Sequence, residues 1–193
     1  MTAASFRESD KQNLKAKKFL IWLFIVSSFI FFAGLTSGYI VYTAGDPSRG
    51  IKTILPKVFM FSTCVIIASS ITMHLAYLAG KRLQLQKQKV FLGLTALLGG
   101  IFFILQILGW KQLVSQEIYF INQNASQSFI YVFTGAHLAH IFAGVLMVLN
   151  ALVGVVKRIP QVKNLFRLET TSIFWHFLDI LWIYLYVFLL LNQ

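Results

Sequence analysis

His176 and Asp179 stand three positions apart, and an imidazole and a carboxylate at that spacing can pass a proton between them on one helix face. They lie within Trp175-His176-Phe177-Leu178-Asp179-Ile180-Leu181-Trp182, where Trp175, His176, Asp179, Trp182 and Tyr186 cover about a third of a helix circumference. A carboxylate in hydrocarbon costs about 2.5–3.5 kcal/mol on insertion scales, so Asp179 must be protonated, paired with an imidazole or bonded across a helix interface. Buried polar pairs commonly pin membrane helices together, and pinning rather than proton relay is the expected role.

A second constellation is Gly135-Ala136-His137-Leu138-Ala139-His140, whose spacing puts both imidazoles on one face beside Gly144. Two such histidines suggest a metal or a haem. A bundle haem, however, usually takes axial ligands from opposite sides of the porphyrin, and a closed metal site needs further ligands on facing helices. The chain has four histidines in all, and hydrogen-bonded structural or lipid-contacting roles are expected for His137 and His140. Thr63, Ser70 and His74 form a third polar stripe within a narrow helical sector. His74 there fits either a contact with a partner subunit or lipid head group, or a neutral imidazole bonded to a neighbouring hydroxyl or carbonyl. The sequence shows no nucleophile with its base, no glycine loop for phosphate and no paired carboxylates at catalytic spacing, so no enzyme is recognisable from the residues alone. The one cysteine, Cys64, can build neither a disulfide framework nor a cysteine metal cluster within the chain.

The elements that must position these groups are membrane helices. Of 193 residues, 58% are hydrophobic and 12% charged, too apolar for a water-soluble domain. A bilayer core about 30 Å thick needs roughly 20 apolar residues per helix. Runs of that kind predict an all-α bundle of five transmembrane helices at about 19–44, 58–80, 90–110, 129–156 and 170–192, the last interrupted by Asp179. The run from Phe19 is too long for a signal-peptide core and lacks a convincing cleavage site, so the N-terminus is expected to be retained. Residues 1–18 form a basic N-terminal segment, and 19–193 form one bundle. The formal charge of +11 is not a nucleic-acid footprint, because its residues cluster between uncharged stretches. Arg7, Lys11, Lys15, Lys17, Lys18, Lys81, Arg82, Lys87, Lys89, Lys157, Arg158, Lys163 and Arg167 fall on one side, against Arg49, Lys52, Lys57 and Lys111 on the other. That bias predicts a cytoplasmic N-terminus and an exterior C-terminus. The longest connection is expected at 111–128. Gly34 with Gly38, Gly93 with Ala96 and Gly100, and Ala136 with Ala139 and Ala143 are expected to mark close helix approaches.

Against these residues the sequence resembles the subunit III family of haem–copper terminal oxidases in its five-helix form, which has cytochrome c oxidase and quinol oxidase members. Trp175 to Trp182 is similar to the family's Trp-His-Phe-Val-Asp-Val-Val-Trp signature, with Glu169 at the acidic position seven residues before the histidine. Gly135 to Ile141 resembles Gly-Phe-His-Gly-Leu-His-Val, and Ser69-Ser70-Ile71-Thr72-Met73-His74 resembles Ser-Ser-Val-Thr-Val-His. Trp22-Leu23-Phe24, Ser27 and Phe31-Phe32 resemble the first helix of the five-helix form. The resemblance extends from Leu20 onward and is weakest in the third helix. Two departures stand out: Ser28 replaces a buried glutamate usual in the family, and Leu108-Gly109-Trp110 replaces an acidic position often found late in the third helix. No role of those carboxylates carries over.

The resemblance implies an accessory subunit in aerobic respiratory electron transport that binds no redox cofactor itself. Haems and copper are expected in partner subunits, above all the catalytic subunit I, and phospholipid is expected in a cleft of the bundle. It implies a role in stabilising the catalytic subunit and supporting proton uptake, in a bacterial inner membrane. His74 and Arg167 become expected lipid or cleft contacts, while His137, His140, Glu169, Trp175, His176 and Asp179 occupy the signature positions. The electron donor, a place in a respiratory supercomplex and partnership with a nitric oxide reductase are left open. From the residues alone, a small transporter with His74 and Asp179 on its path, or a cytochrome using the histidine pair, also stays open.

Overall fold

A computed structural model describes residues 3–46, 50–51, 54–121 and 124–192, with side chains from residue 13 onward. It contains five helices: α1 (Ala3–Ala44), α2 (Lys57–Lys81), α3 (Leu85–Ser115), α4 (Ala125–Val156) and α5 (Gln161–Leu191). Each carries a stretch long and apolar enough to cross a membrane, and the described residues include no strand. The expected all-α bundle of five spanning helices is therefore what forms.

The helices overrun the charge-free stretches. α5 begins at Gln161 rather than near 170, α3 runs from Leu85 to Ser115 rather than 90–110, and α1 extends back through the basic segment to Ala3. Charge ends the hydrocarbon-compatible part of a helix but not the helix, because Lys, Arg, Gln and Glu are good helix formers at the interface. One consequence corrects an expectation: with α3 and α4 extended, the connection 116–124 is shorter than 45–56, which joins α1 to α2. Of the basic residues used for orientation, the side chains of Arg7 and Lys11, and Arg49 and Lys52 entirely, lie outside the described residues.

Three helix ends share one device. Leu83, Glu117 and Arg158 take φ of 60°, 62° and 51° just past α2, α3 and α4. The next residue's N–H then returns to the last turn: Gln84 to the Ala79 carbonyl at 3.0 Å, Ile118 to Leu113 at 3.1 Å, and Ile159 to Gly154 at 3.2 Å. This satisfies carbonyls that a helix end leaves unpaired and turns the chain sharply back.

α2, α3, α4 and α5 form a ring in which α3 and α5 each pack on both α2 and α4, while α1 lies outside against α4 and α5. The antiparallel order gathers Lys18, Lys81, Lys157 and Arg167 at one end of the bundle. The centre is filled by Trp175, Trp182, Phe102, Ile66, Leu92 and Ile141, all buried. The outside is apolar as well, with Ile30, Ile71, Ile104, Phe142 and Ile180 exposed on different helices, as lipid rather than water requires.

The small-residue expectation holds at other glycines than those named. A Cβ at Gly34, Gly38, Gly93 or Gly100 would meet nothing within 4 Å, so the G-x-x-x-G step of α1 faces outward in this chain. Tight approaches occur at Gly80 against Leu168, at Gly109 against Phe59 and at Gly154 against Ile159, and two converge on one ring: at Gly99 a Cβ would come 2.9 Å from Trp175, and at Gly144 it would come 2.9 Å from Leu178 and 3.2 Å from Trp175. What the facing helix presents, not the spacing of small residues, decides where a backbone must be bare.

Candidate functional site

The residues of the α5 signature are spent on α2. Trp175 Nε1–H donates to Ser69 Oγ at 3.0 Å, the Ser70 hydroxyl and His176 Nδ1 share a hydrogen bond of 2.7 Å, and Trp182 Nε1–H donates to Thr63 Oγ1 at 3.0 Å. Adjacent signature residues thus meet adjacent serines, and the next pair lies about two turns along two antiparallel helices. The same helix reaches α3 through Thr72 and Thr95, whose hydroxyls are 2.9 Å apart, and through Ser62, which accepts from Gln106 Nε2 at 3.1 Å. Between α3 and α4, Trp110 Nε1–H donates to Thr134 Oγ1 at 2.9 Å. In hydrocarbon an indole N–H has no water to turn to, so each hydroxyl fixes the register of its neighbour. Replacing Trp182 with Phe and Thr63 with Val, singly and together, should give a coupling of about 0.6 kcal/mol, the average for such bonds in membrane helices. Detergent unfolding of the isolated chain measures it, and additive losses would mean that the bond contributes nothing.

His137 and His140 part company despite sharing a face. His140 Nδ1 donates to the Ala136 carbonyl at 2.8 Å, and its Nε2 shares a hydrogen bond of 3.2 Å with Ser28 Oγ on α1. Ser28 also donates to the Phe24 carbonyl at 2.8 Å. The residue that replaces the family's glutamate therefore sits directly against this imidazole. His137, expected to be hydrogen-bonded or in contact with lipid, is neither. It is fully buried, and neither ring nitrogen has a hydrogen-bond partner. Its surroundings are Trp182, Phe102 and Phe32, with ring centroids at 5.2, 5.9 and 6.4 Å, which offer faces and edges but no acceptor. Among the described residues no group of three or more His, Cys, Asp or Glu side chains could hold a metal ion.

Asp179 is 3% exposed, and neither of its oxygens has a hydrogen-bond partner. The His176 ring nitrogen is 3.9 Å away, one turn back on the same helix. Among the described residues no side chain makes a hydrogen bond of ordinary distance and angle to this carboxylate, although the Ser70 hydroxyl of α2 and the His176 ring stand close to it, so any pinning inside the bundle is weak. His74 stands beside this pair, its ring centroid 6.1 Å from that of His176.

At the basic end Lys18 Nζ pairs with Glu169 Oε1 at 2.7 Å, tying α1 to α5. Both groups are more than a third exposed, and such a pair contributes about 0.2–1 kcal/mol. Arg167 Nη1–H donates to Asn150 Oδ1 at 3.3 Å. Arg167 also lines a cavity of about 650 Å³ between α1, α4 and α5, with Asn13, Leu14, Lys17, Lys163 and Phe166. Cationic groups beside Leu14 and Phe166 are the donor set that a phosphate carrying acyl chains requires. His74 is not part of this cavity, so the two expected lipid contacts lie at different places.

Sequence reading singled out Thr63 and Ser70 but missed that Ser69, Thr72 and Ser62 bond outward across the helix interfaces; the dense hydroxyls of α2 were the available signal. The chain matches the family described as cytochrome c oxidase subunit III over residues 7–192. It is 31% identical to cytochrome c oxidase subunit 3 of Bacillus sp. (strain PS3), an alignment covering 96% of this chain and 92% of that protein. With cytochrome c oxidase subunit 3 of Bacillus subtilis it shares 29% identity over 96% of this chain and 92% of the other. With cytochrome bo(3) ubiquinol oxidase subunit 3 of Pseudomonas aeruginosa it shares 32% over 86% of this chain and 79% of the other. Five spanning helices and bacterial relatives make it an integral protein of the bacterial cytoplasmic membrane. With its signature tryptophans and histidine bonded to the serines and threonine of α2, and the match running from end to end of the described bundle, the chain belongs to the cytochrome c oxidase subunit III family.

Proposed function

We propose that this chain is the accessory subunit III of a haem–copper terminal oxidase of the cytochrome c oxidase type in aerobic respiration. Membership of the family makes it part of a multisubunit oxidase complex. In this reading it packs against subunit I, which carries the haems and copper, stabilises that subunit and supports its proton uptake. Its own bundle binds no redox cofactor. The observation that carries the reading is how the ring nitrogens of the signature are used: Trp175, His176 and Trp182 each bond a hydroxyl of α2, a use that holds a scaffold together.

Phospholipid is held at the basic end, its phosphate by Lys17, Lys163 and Arg167 and its chains along Leu14 and Phe166. That end faces the cytoplasm, in keeping with the excess of Lys and Arg there, and the C-terminus faces outward. A second reading, subunit III of a quinol oxidase, is favoured by the 32% identity to the Pseudomonas aeruginosa protein.

The test is a reduced-minus-oxidised spectrum of two samples: the complex retrieved by a tag on this chain in mild detergent, and the chain alone. Oxidase haem bands in the complex and none in the isolated chain are expected, and oxygen uptake with reduced cytochrome c or with quinol then assigns the donor. A haem spectrum in the isolated chain would make it a cytochrome. No haem in either sample would turn the assignment towards a transporter.

A further inference from the structure

The groove between α2 and α5 holds the one buried carboxylate of the described core, and no described residue gives it a hydrogen bond of ordinary geometry, the Ser70 hydroxyl and the His176 ring standing only near it. Ile67, Ser70, His176, Asp179, Ile180 and Ile183 line a cavity of about 310 Å³ there, open to the outside of the bundle. Asp179 lies at its floor with both oxygens unpartnered. His176 Nδ1 is too far from it, at 3.9 Å, and is already engaged by Ser70 at 2.7 Å. The depth is decisive. Asp179 lies ten residues beyond Glu169, whose ion pair with Lys18 marks the interface, or about 15 Å of helix rise. That is roughly the middle of a hydrocarbon core about 30 Å thick. Acyl chains there offer no hydrogen-bond donor and lipid head groups do not reach, so a buried acceptor at that depth calls for a donor brought by something other than lipid.

The rim describes the shape of that partner. Ile180, 67% exposed, and Ile71, 58% exposed, stand as apolar ledges on α5 and α2. His74, also exposed, continues the polar strip one turn along α2 from Ser70. Apolar ledges flanking a polar floor suit a helix laid along the groove. α1, packed on α4 and α5, leaves these residues uncovered.

We infer that the α2–α5 groove seats a transmembrane helix of the haem-bearing partner subunit, and that this helix presents an N–H or O–H side chain to Asp179. The inference rests on the proposed function and names the surface through which it operates. Asp179 thus pins two helices, one of them in another chain.

The test places the photoreactive residue benzoylphenylalanine at position 180 in the full chain, in membranes containing the assembled complex. Irradiation is expected to yield an adduct with a transmembrane peptide of the haem-bearing subunit. Ile180→Trp, at a position 67% exposed, is expected to lower the amount of haem retained with this chain at least tenfold. An adduct with lipid, with quinone, with another subunit or with a second copy of this chain overturns the inference, and so does full retention of Ile180→Trp. If oxidase haem is retrieved with the wild-type chain while position 180 labels only lipid or quinone, the groove assignment falls and the accessory-subunit reading stands. If no oxidase haem is retrieved at all, that reading itself has failed.

Discussion

Gly144→Leu is expected to prevent α4 from docking on α5 and to leave almost no folded chain in mild detergent. Even the first added carbon would stand 2.9 Å from Leu178 and 3.2 Å from the Trp175 ring, inside van der Waals contact. The Trp175 ring has little room to retreat. Trp175 is fully buried, its N–H is committed to Ser69, and on its other side lies Gly99, where a Cβ would be 2.9 Å from the same ring. The indole thus abuts two bare stretches of backbone. Inserting methylenes into a packed core costs about 1–3 kcal/mol, and a leucine side chain in a site with no space for a methyl belongs at or above the top of that range. Gly34→Leu supplies the contrast, because a Cβ there meets nothing within 4 Å. The isolated chain should tolerate it to within about 0.5 kcal/mol or gain slightly, since glycine costs a helix interior about 1 kcal/mol relative to alanine. Thermal unfolding of the two variants in detergent separates them, and equal midpoints would contradict the packing described at Gly144.

The same contrast shows what the sequence could and could not convey. Span number was legible because hydrocarbon forbids unpaired backbone and charge, so five long apolar runs leave one architecture. Helix ends were not, because a lysine at the interface ends the span and not the helix; α5 gains its first turns from Gln161 in this way. The glycine pattern of α1 misled for a related reason: spacing reports that small residues share a face but not what that face meets, and Gly34 and Gly38 meet nothing in this chain. Partners far along the chain were illegible in principle. Lys18 and Glu169, Ser28 and His140, and Ser69 and Trp175 are paired by the rotation and register of packed helices. His137 was the residue whose surroundings were hardest to foresee, since a histidine enclosed by aromatic rings has the same sequence signal as one with a hydroxyl partner. Asp179 was legible as a carboxylate in need of a partner, and the structure adds that among the described residues only His176, at 3.9 Å, and the nearby Ser70 attend to it, neither with a hydrogen bond of ordinary geometry.

Asp179→Leu should release this chain from the oxidase while leaving the chain itself at least as stable as before. Both halves follow from the same observation. Among the described residues the carboxylate oxygens make no hydrogen bond of ordinary geometry, so leucine removes a poorly satisfied polar group from a buried site and gives up only the loose contact with His176. The thermal midpoint of the isolated variant should therefore equal or exceed that of the wild type. In the complex the loss leaves the partner's buried donor unpaired, which costs about 1–3 kcal/mol. At 1.4 kcal/mol per factor of ten, that weakens the subunit contact by about five- to a hundredfold, enough for washing in detergent to strip the chain from the haem-bearing subunit. Asp179→Asn, which keeps a carbonyl acceptor in the same volume, should retain more of it. Oxygen reduction by the stripped oxidase should persist, because the groups lost belong to assembly. The readouts are the ratio of this chain to haem after washing, the unfolding midpoint of the isolated variant, and oxygen uptake. A destabilised isolated chain would show that Asp179 pins helices within the bundle after all. A fully assembled Asp179→Leu complex that reduces no oxygen would show that this chain takes part in the chemistry, contrary to the accessory role.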